Sequence, residues 1–145
     1  MGSGKDRPTM QKAAETLDQF DVGWDMRVLS AHKTPDDALE FAVTAADTYS
    51  VIIAGAGKAA HLAGVLAAQT TLPVIGVPLS ASLDGMDALL ATVQMPTGIP
   101  VATVAIDGAT NAALLAISIL ALNDEDLDDR LKQYRKDLRQ QTLGG

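Results

Sequence analysis

Apolar residues recur along this chain at two alternating spacings, one typical of helices and the other of strands. Two helical stretches begin at prolines, Pro8 and the pair Thr34–Pro35, and proline is favoured in the first turn of a helix. The first stripe is Met10, Ala13, Ala14, Leu17 and Phe20, and the second is Ala38, Leu39, Ala42 and Ala45. Both repeat every three or four residues, which predicts two amphipathic helices, and Gly23 marks a stop after the first.

The rest of the chain continues this alternation. Strands are predicted over residues 24–29, 51–53, 74–77 and 101–106, and helices over residues 59–68, 86–93, 111–122 and 124–141. Short apolar runs between helical segments are typical of strands that are buried on both faces. The pattern therefore predicts an α/β domain, with a parallel sheet and helices on both faces.

Two ends of this predicted domain are unusual. Such domains normally open with a strand that leads into the first glycine turn, whereas here the chain starts at the turn itself, residues 1–6. The first strand is therefore apparently missing: either the sequence is truncated, or its start is assigned late, or the fold lacks this strand. At the other end, residues 124–141 are charged and carry an apolar stripe at Leu127, Leu131, Tyr134 and Leu138. This extra C-terminal helix is either a solvated helix or an oligomer contact.

The length, charge and composition of the chain argue against several classes of function. The 145 residues fit one domain, 1–145, and 48% of them are hydrophobic, which is enough for a core. The net charge of −7 and the lack of a basic stripe argue against a nucleic-acid partner. No cysteine and only two histidines argue against a metal site. With no signal peptide and no long apolar run, we expect no membrane partner and a cytoplasmic location.

Three segments after predicted turns or strands carry candidate chemistry. Residues 2–5, Gly-Ser-Gly-Lys, form either a phosphate cradle or an ordinary turn. Residues 30–35, Ser-Ala-His-Lys-Thr-Pro, provide either a cation and a polar wall or only a helix cap. Residues 54–64 are rich in glycine and alanine and contain His61 near a helix start. A histidine there can take up and return a proton at neutral pH, although a buried structural histidine is the alternative.

These motifs occur together in one known family. Residues 2–6, 30–35, 54–62, 73–78, 94–100 and 111–115 resemble, in content and in order, the N5-carboxyaminoimidazole ribonucleotide mutases, the catalytic subunits of phosphoribosylaminoimidazole carboxylase. The resemblance spans nearly the whole chain. It implies a flavodoxin-like three-layer fold, a homo-octamer and a role in de novo purine biosynthesis.

The resemblance also implies a reaction and a set of site residues. The family interconverts N5-carboxyaminoimidazole ribonucleotide and 4-carboxy-5-aminoimidazole ribonucleotide, and no metal or organic cofactor is required. His61 matches the catalytic histidine, which would act as an acid and then as a base. Ser3, Asp6 and Lys33 would hold the ribose phosphate, and Lys33 stands where the family commonly has arginine. His32 and the segment Ala54, Gly55, Ala56 and Gly57 would surround the base, and Ser30, Ala31 and Leu62 complete the implied substrate-binding set.

Two other functions remain open on the sequence. One is direct carboxylation of aminoimidazole ribonucleotide, or of a related heterocycle, by carbon dioxide. The other is a noncatalytic nucleotide-binding subunit that keeps the fold. The direct carboxylase would require bicarbonate, whereas the mutase would not. The noncatalytic subunit would show no turnover, so a change at His61 would have no effect on it.

Overall fold

The computed structural model describes residues 1–144, in which three parallel strands form one sheet in the order β1-β2-β3. The strands are β1 (Ile52–Gly57), β2 (Val74–Leu79) and β3 (Ala102–Thr103). The α-helices are α1 (Arg7–Gln19), α2 (Pro35–Thr44), α3 (Leu62–Ala67), α4 (Met86–Val93), α5 (Ala109–Leu120) and α6 (Glu125–Gly144). Short 3-10 turns cover Gly4–Asp6, Ala45–Asp47, Leu83–Gly85 and Ala121–Asn123.

Helices cover both faces of this sheet, and each face has its own core. On one face Ile75, Val77 and Leu79 of β2 pack with buried residues of α1, α5 and α6. On the other face Ile52 and Ala54 of β1 pack with residues of α2 and α3. Successive strand residues point to opposite faces, so this division follows from the alternation of side chains along β1 and β2. The three-layer α/β architecture that the sequence predicts is confirmed.

The central position of β2 in the sheet explains why apolar and polar residues do not alternate along this strand. Every residue of β2 is buried, because β1 and β3 pair with its edges and helices cover both its faces. Gly76 lets α4 approach closely, since a Cβ placed there would lie 2.4 Å from Cγ2 of Thr92. Parallel strands buried in this way read as continuous apolar runs.

The observed bounds of the helices agree with the predicted bounds better than those of the strands do. The predicted helix over Met86–Val93 has the same bounds in the structure, and α1 and α2 begin within a residue of their prolines. The strand predicted over residues 101–106 shrinks to Ala102–Thr103, where it pairs with Ile75 and Gly76. The strand predicted over residues 24–29 is wrong: that segment forms neither a helix nor a strand and has no ladder partner. A segment becomes a strand only when another segment pairs with it, and a short sequence pattern does not show whether that partner exists.

Backbone hydrogen bonds of a single residue, Met1, connect that segment to the sheet. The Met1 nitrogen donates a hydrogen bond to Arg27 O at 2.8 Å, and Leu29 N donates to Met1 O at 2.9 Å. On the other side, Gly2 N donates to Gly55 O at 3.0 Å. No strand lies ahead of α1 in the described residues. Residues 1 and 2 thus lie between residues 27–29 and β1 in the place of one more strand.

The C-terminal helix packs on its own chain. Leu127 and Leu131 are buried, and the Tyr134 ring lies 5.5 Å from the Phe20 ring. Only Leu138 of the predicted stripe is half exposed. Most of the apolar stripe of α6 is therefore used within the chain. None of the described helices is both long and apolar enough to span a bilayer.

Candidate functional site

The candidate residues meet at the carboxyl end of β1, where ligands bind in open parallel sheets. The hydrogen bond from Gly2 N to Gly55 O fixes the first turn against this end. A Cβ placed on Gly2 would lie 3.8 Å from Cβ of Ala56 and 4.0 Å from Oδ2 of Asp6. Asp6 and Ala56 therefore both lie next to Gly2, as the resemblance implies for two parts of one substrate site.

Glycine is required where β1 passes under α1. A Cβ placed on Gly55 would lie 2.3 Å from Sδ of Met10, which is closer than real side-chain contacts. Further along, a Cβ on Gly57 would lie 3.0 Å from Cβ of Ala81 and 3.2 Å from Leu79 O. The glycines thus allow the end of β1 to lie close to its neighbours, and this fixes the backbone of the site.

The first turn holds its polar groups in a fixed arrangement. Ser3 precedes the 3-10 turn and its Oγ accepts a hydrogen bond from Lys5 N at 3.3 Å, while Asp6 N donates to Ser3 O at 3.1 Å. Burial raises the pKa of the Asp6 carboxyl, and a backbone hydrogen bond with Ser3 and the nearby Met1 amine partly offset that shift. Asp6 is therefore a half-buried acceptor at the edge of the site.

The loop before α2 is held by two hydroxyl groups. Ser30 Oγ accepts hydrogen bonds from His32 N at 3.4 Å and Lys33 N at 3.2 Å. Ser30 N donates to Thr34 Oγ1 at 3.0 Å, and Thr34 N donates to Ser30 O at 3.0 Å. Ser30 thus positions the loop that carries His32 and the exposed Lys33.

This loop brings the two histidines of the chain into contact. His32 Nε2 and His61 Nδ1 lie 2.8 Å apart, and the rings meet edge to face with centroids 4.9 Å apart. His61 immediately precedes α3, after a turn in which Lys58 has a positive φ of 56° and His61 N donates to Ala59 O. Both imidazoles are exposed. A buried structural role for His61, the alternative left open by the sequence, is thereby ruled out.

The distance between the two ring nitrogens restricts their protonation. One nitrogen must donate and the other accept, so a single proton lies between the rings. A further proton can bind only at an outer nitrogen of the pair, and once it is bound the pair carries one positive charge. The pair can therefore take up one proton and release it, which is the requirement for a group that acts first as an acid and then as a base.

Some implied substrate-binding residues have no side chain available to a ligand. Leu62 and Ala54 are buried in the core between β1, α2 and α3. Ala31 packs against the same core. Contact between these residues and a substrate is thus limited to their backbone groups. Ala56 and Gly57 are half exposed at the end of β1, so they remain accessible.

The structure adds neighbours that the motifs did not indicate. Asp107, whose φ is 56°, accepts a hydrogen bond from Ser80 N at 3.0 Å and donates from its own nitrogen to Pro78 O. It therefore fixes the loop at the end of β2, beside β1. Met95 packs near Gly64 of α3. The position directly after the strand predicted over residues 101–106 was the only sequence signal for Asp107.

The described residues contain no group of three or more side chains of the kind that binds metal ions. The two histidines face each other, so their facing nitrogens are used in their mutual contact. The arrangement offers proton transfer and polar contacts with a ligand.

Comparisons with known proteins show which family the chain resembles over nearly its whole length. The profile of the family described as AIR carboxylase matches residues 1–141. N5-carboxyaminoimidazole ribonucleotide mutase of Pyrococcus abyssi is 56% identical over 141 residues, 96% of this chain and 81% of that protein. The enzyme of the same name from Bacillus subtilis is 53% identical over 99% of this chain and 91% of its own length.

A solved structure is similar over the same range. The crystal structure of Treponema denticola PurE superimposes with a TM-score of 0.89 at 30% sequence identity, covering 99% of this chain and 91% of that one. The agreement in fold extends over nearly the whole of both chains.

Proposed function

The chain belongs to the AIR carboxylase family, and we propose that it catalyses the N5-carboxyaminoimidazole ribonucleotide mutase reaction of purine biosynthesis. The observation that carries the proposal is the 2.8 Å contact between His32 and His61 at the carboxyl end of β1. It provides a reversible proton where the polar first turn and the Ser30 loop converge. Several relatives that are 48–56% identical carry the mutase name, which supports this reaction.

The proposed route has two halves that use the same proton. In the first, the bond between the exocyclic nitrogen and its carboxylate breaks, carbon dioxide leaves, and His61 protonates the nitrogen. In the second, C4 of the ring attacks the carbon dioxide, and His61 removes the proton from C4. Atoms and charge balance over the cycle, because the proton returns to the histidine. His32 supports this exchange by holding the second ring nitrogen of His61.

Free carbon dioxide must stay beside the ring between the two halves. The wall there is the backbone of β1 from Ala54 to Gly57, which has little side-chain volume and lies close to Gly2 and Ala81. A closely fitting pocket keeps the reactants near each other and excludes water, which would otherwise compete. We assign substrate binding to the same region, with Ser3, Asp6 and Lys33 at the phosphate and ribose.

The proposal includes a homo-oligomer, as the resemblance implies. The support is an apolar stripe on α4, formed by Met86, Leu90 and Val93, whose side chains are about half exposed. These positions lie on one helical face. We also propose the cytoplasm as the location, since the chain has none of the disulfide bonds that are typical of small secreted domains.

The decisive experiment is a turnover assay with each substrate, in the presence and absence of bicarbonate. We expect N5-carboxyaminoimidazole ribonucleotide to be converted without added bicarbonate. Strict dependence on bicarbonate would instead favour the direct carboxylase. A folded protein that turns over neither substrate would favour the noncatalytic subunit.

The assignment of His61 is tested by two matched variants, His61→Asn and His32→Asn. We expect kcat of His61→Asn to fall by about 10² to 10⁴, the range of general acid–base catalysis, with little change in KM. His32→Asn should retain more activity, because it removes only the partner of His61. Full activity in His61→Asn together with an inactive His32→Asn would transfer the proton step to His32 while leaving the mutase reaction intact.

A further inference from the structure

The turn that follows β1 carries a lysine for which the proposed reaction gives no role. Lys58 comes directly after Gly57, the last residue of β1, and three residues before His61. Its side chain is exposed, and it forms no ion pair within the residues that the structure describes. Lys132, by contrast, lies 2.6 Å from Asp128. The charge of Lys58 is therefore available to an anionic ligand at the carboxyl end of β1.

The backbone of Lys58 has a conformation that lysine rarely adopts. Its φ is 56°, in the left-handed region where the Cβ of an L-residue crowds the following carbonyl oxygen. Three of the four other non-glycine residues with a positive φ are aspartates, whose short side chains tolerate this region by hydrogen bonding to nearby backbone. The long side chain of lysine does not compensate in this way. The turn therefore imposes this conformation on Lys58.

The turn is held on both sides of Lys58. Before it, Gly57 lies so close to the loop after β2 that a Cβ placed there would lie 3.0 Å from Cβ of Ala81. After it, Ala60 is buried, with 1% exposure, and its nitrogen donates a hydrogen bond to Lys58 O at 2.8 Å. The side chain of Lys58 thus leaves the backbone in a fixed direction, on the turn that also carries His61.

From this position we propose that Lys58 binds the carboxylate of the substrate, an inference that rests on the proposed function. The substrate of that reaction has a phosphate on its ribose and a carboxylate on its base. Lys33 is assigned to the phosphate, and the backbone of residues 54–57 is assigned to the base. Lys58 continues that backbone, so its ammonium group would lie beside the base and form a charge-assisted hydrogen bond with the carboxylate.

Binding of the carboxylate has a kinetic effect that differs from proton transfer. The substrate and the product both carry a carboxylate, at neighbouring positions of the base, whereas the carbon dioxide between them has no charge. The ammonium group of Lys58 therefore stabilises the bound substrate more than the reacting state. Its loss should raise KM without lowering kcat, whereas the loss of His61 should lower kcat.

The test compares Lys58→Met with the parent, using two ligands that differ only in the carboxylate. We expect KM for 4-carboxy-5-aminoimidazole ribonucleotide to rise about tenfold, the effect of losing a charge-assisted hydrogen bond, and kcat not to fall. The inhibition constant of aminoimidazole ribonucleotide, which has no carboxylate, should not change. Lys58→Arg keeps the charge and should keep the parent KM. Lys136→Met removes one charge from α6 and should change neither constant.

A further variant, Lys58→Gly, separates binding from the stability of the turn. Glycine adopts a positive φ without strain, so we expect the melting temperature to rise by about 3 °C. The affinity for the carboxylated ligand should nevertheless fall as it does in Lys58→Met. A more stable protein with weaker binding would support the proposal, because it would show that lysine is strained here for the sake of the ligand.

The proposal is overturned if Lys58→Met has the KM of the parent, or if both ligands lose affinity equally, since the charge would then not act on the carboxylate. If the parent binds both ligands and converts neither, the proposed mutase reaction fails instead. Calorimetric titration still tests Lys58 in that case. The affinity for the carboxylated ligand, relative to the other, should fall about tenfold in Lys58→Met and Lys58→Gly but not in Lys58→Arg, and an unchanged ratio would contradict the inference.

Discussion

Asp6 shows at the scale of one residue how a binding group can oppose stability. Its carboxyl lies against the first turn, where burial raises its pKa above the usual 3.8. The folded state therefore binds the proton more tightly than the unfolded state does. Between these two pKa values the free energy of unfolding falls as pH rises, and at neutral pH the whole cost of burying the charge is present.

We expect Asp6→Asn to raise the melting temperature at pH 7, because the amide removes that buried charge. The gain should disappear below pH about 4, where the carboxyl is protonated in both states. KM should rise, since Asp6 is assigned to the ribose phosphate portion. Thermal melts of both proteins across pH, together with steady-state kinetics, measure the two effects. A variant that is less stable than the parent at pH 7 would contradict the role of burial.

Lys33 provides a second prediction at this scale. Its backbone is held by Ser30, while its side chain is exposed and is assigned to the phosphate. We expect Lys33→Ala to raise KM about tenfold with little change in kcat, which is the usual effect of losing one charge-assisted hydrogen bond. Lys136→Ala on α6, also an exposed lysine, is the control and should leave KM unchanged. If Lys33→Ala leaves KM unaltered, Lys33 does not bind the phosphate of the substrate.

At the scale of an element, β1 depends on glycine at the point where α1 crosses it. The distance of 2.3 Å between a Cβ on Gly55 and Sδ of Met10 leaves no room for a methyl group. We expect Gly55→Ala to lower the free energy of unfolding by about 1–3 kcal/mol, the usual range for overpacking. Gly23→Ala is the control, because a Cβ there meets nothing within 4 Å.

A double-mutant cycle shows whether Met10 is the cause. Met10→Ala alone should be destabilising, since Met10 is buried. In its presence, however, Gly55→Ala should cost little, because the sulfur that the new methyl group meets is gone. Urea denaturation of the four proteins measures the coupling energy. Additive effects would mean that the strain comes from the backbone of β1 and not from Met10.

The elements also show what can be read from the sequence. The starts of α1 and α2 could be predicted because Pro8 and Pro35 act within the first turn of a helix. Residues 24–29 have the same pattern as a strand, but their pairing depends on chain segments far away in sequence. For the same reason, the sequence could not predict the contact between His32 and His61, which are 29 positions apart. The start of a helix depends on residues that are adjacent in the sequence, so it can be predicted. The geometry of the site depends instead on how β1 packs against the Ser30 loop.

At the scale of the whole molecule, α4 carries an exposed apolar stripe, whereas α6 exposes Leu138 and Leu143 only near its end. Met86, Leu90 and Val93 are 52%, 51% and 46% exposed, and they follow one another on a single face. The stripe of α6, by contrast, is mostly covered by α1 and the core. The helix with the larger unpartnered face is the better candidate for a contact between subunits.

We expect light scattering to show an assembly larger than one chain, and Leu90→Asp to reduce its mass. A carboxylate at the centre of the stripe would have to be buried without a partner on association, which is costly. Leu122→Asp is the control, since Leu122 is 80% exposed and lies outside α4. If Leu90→Asp assembles like the parent, the interface involves another surface.

The hydrogen bonds of Met1 have a consequence for how the molecule opens. By backbone hydrogen bonds, the segment that leads into the Ser30 loop is joined to the sheet through one residue, Met1, whereas β1 and β2 pair along six positions. Regions with so few protected amides open as separate units at a lower free energy than the global one. His32 lies on the weakly held side and His61 on the firmly held side. Warming should therefore separate the two rings, and stop proton exchange between them, while most of the sheet is still intact.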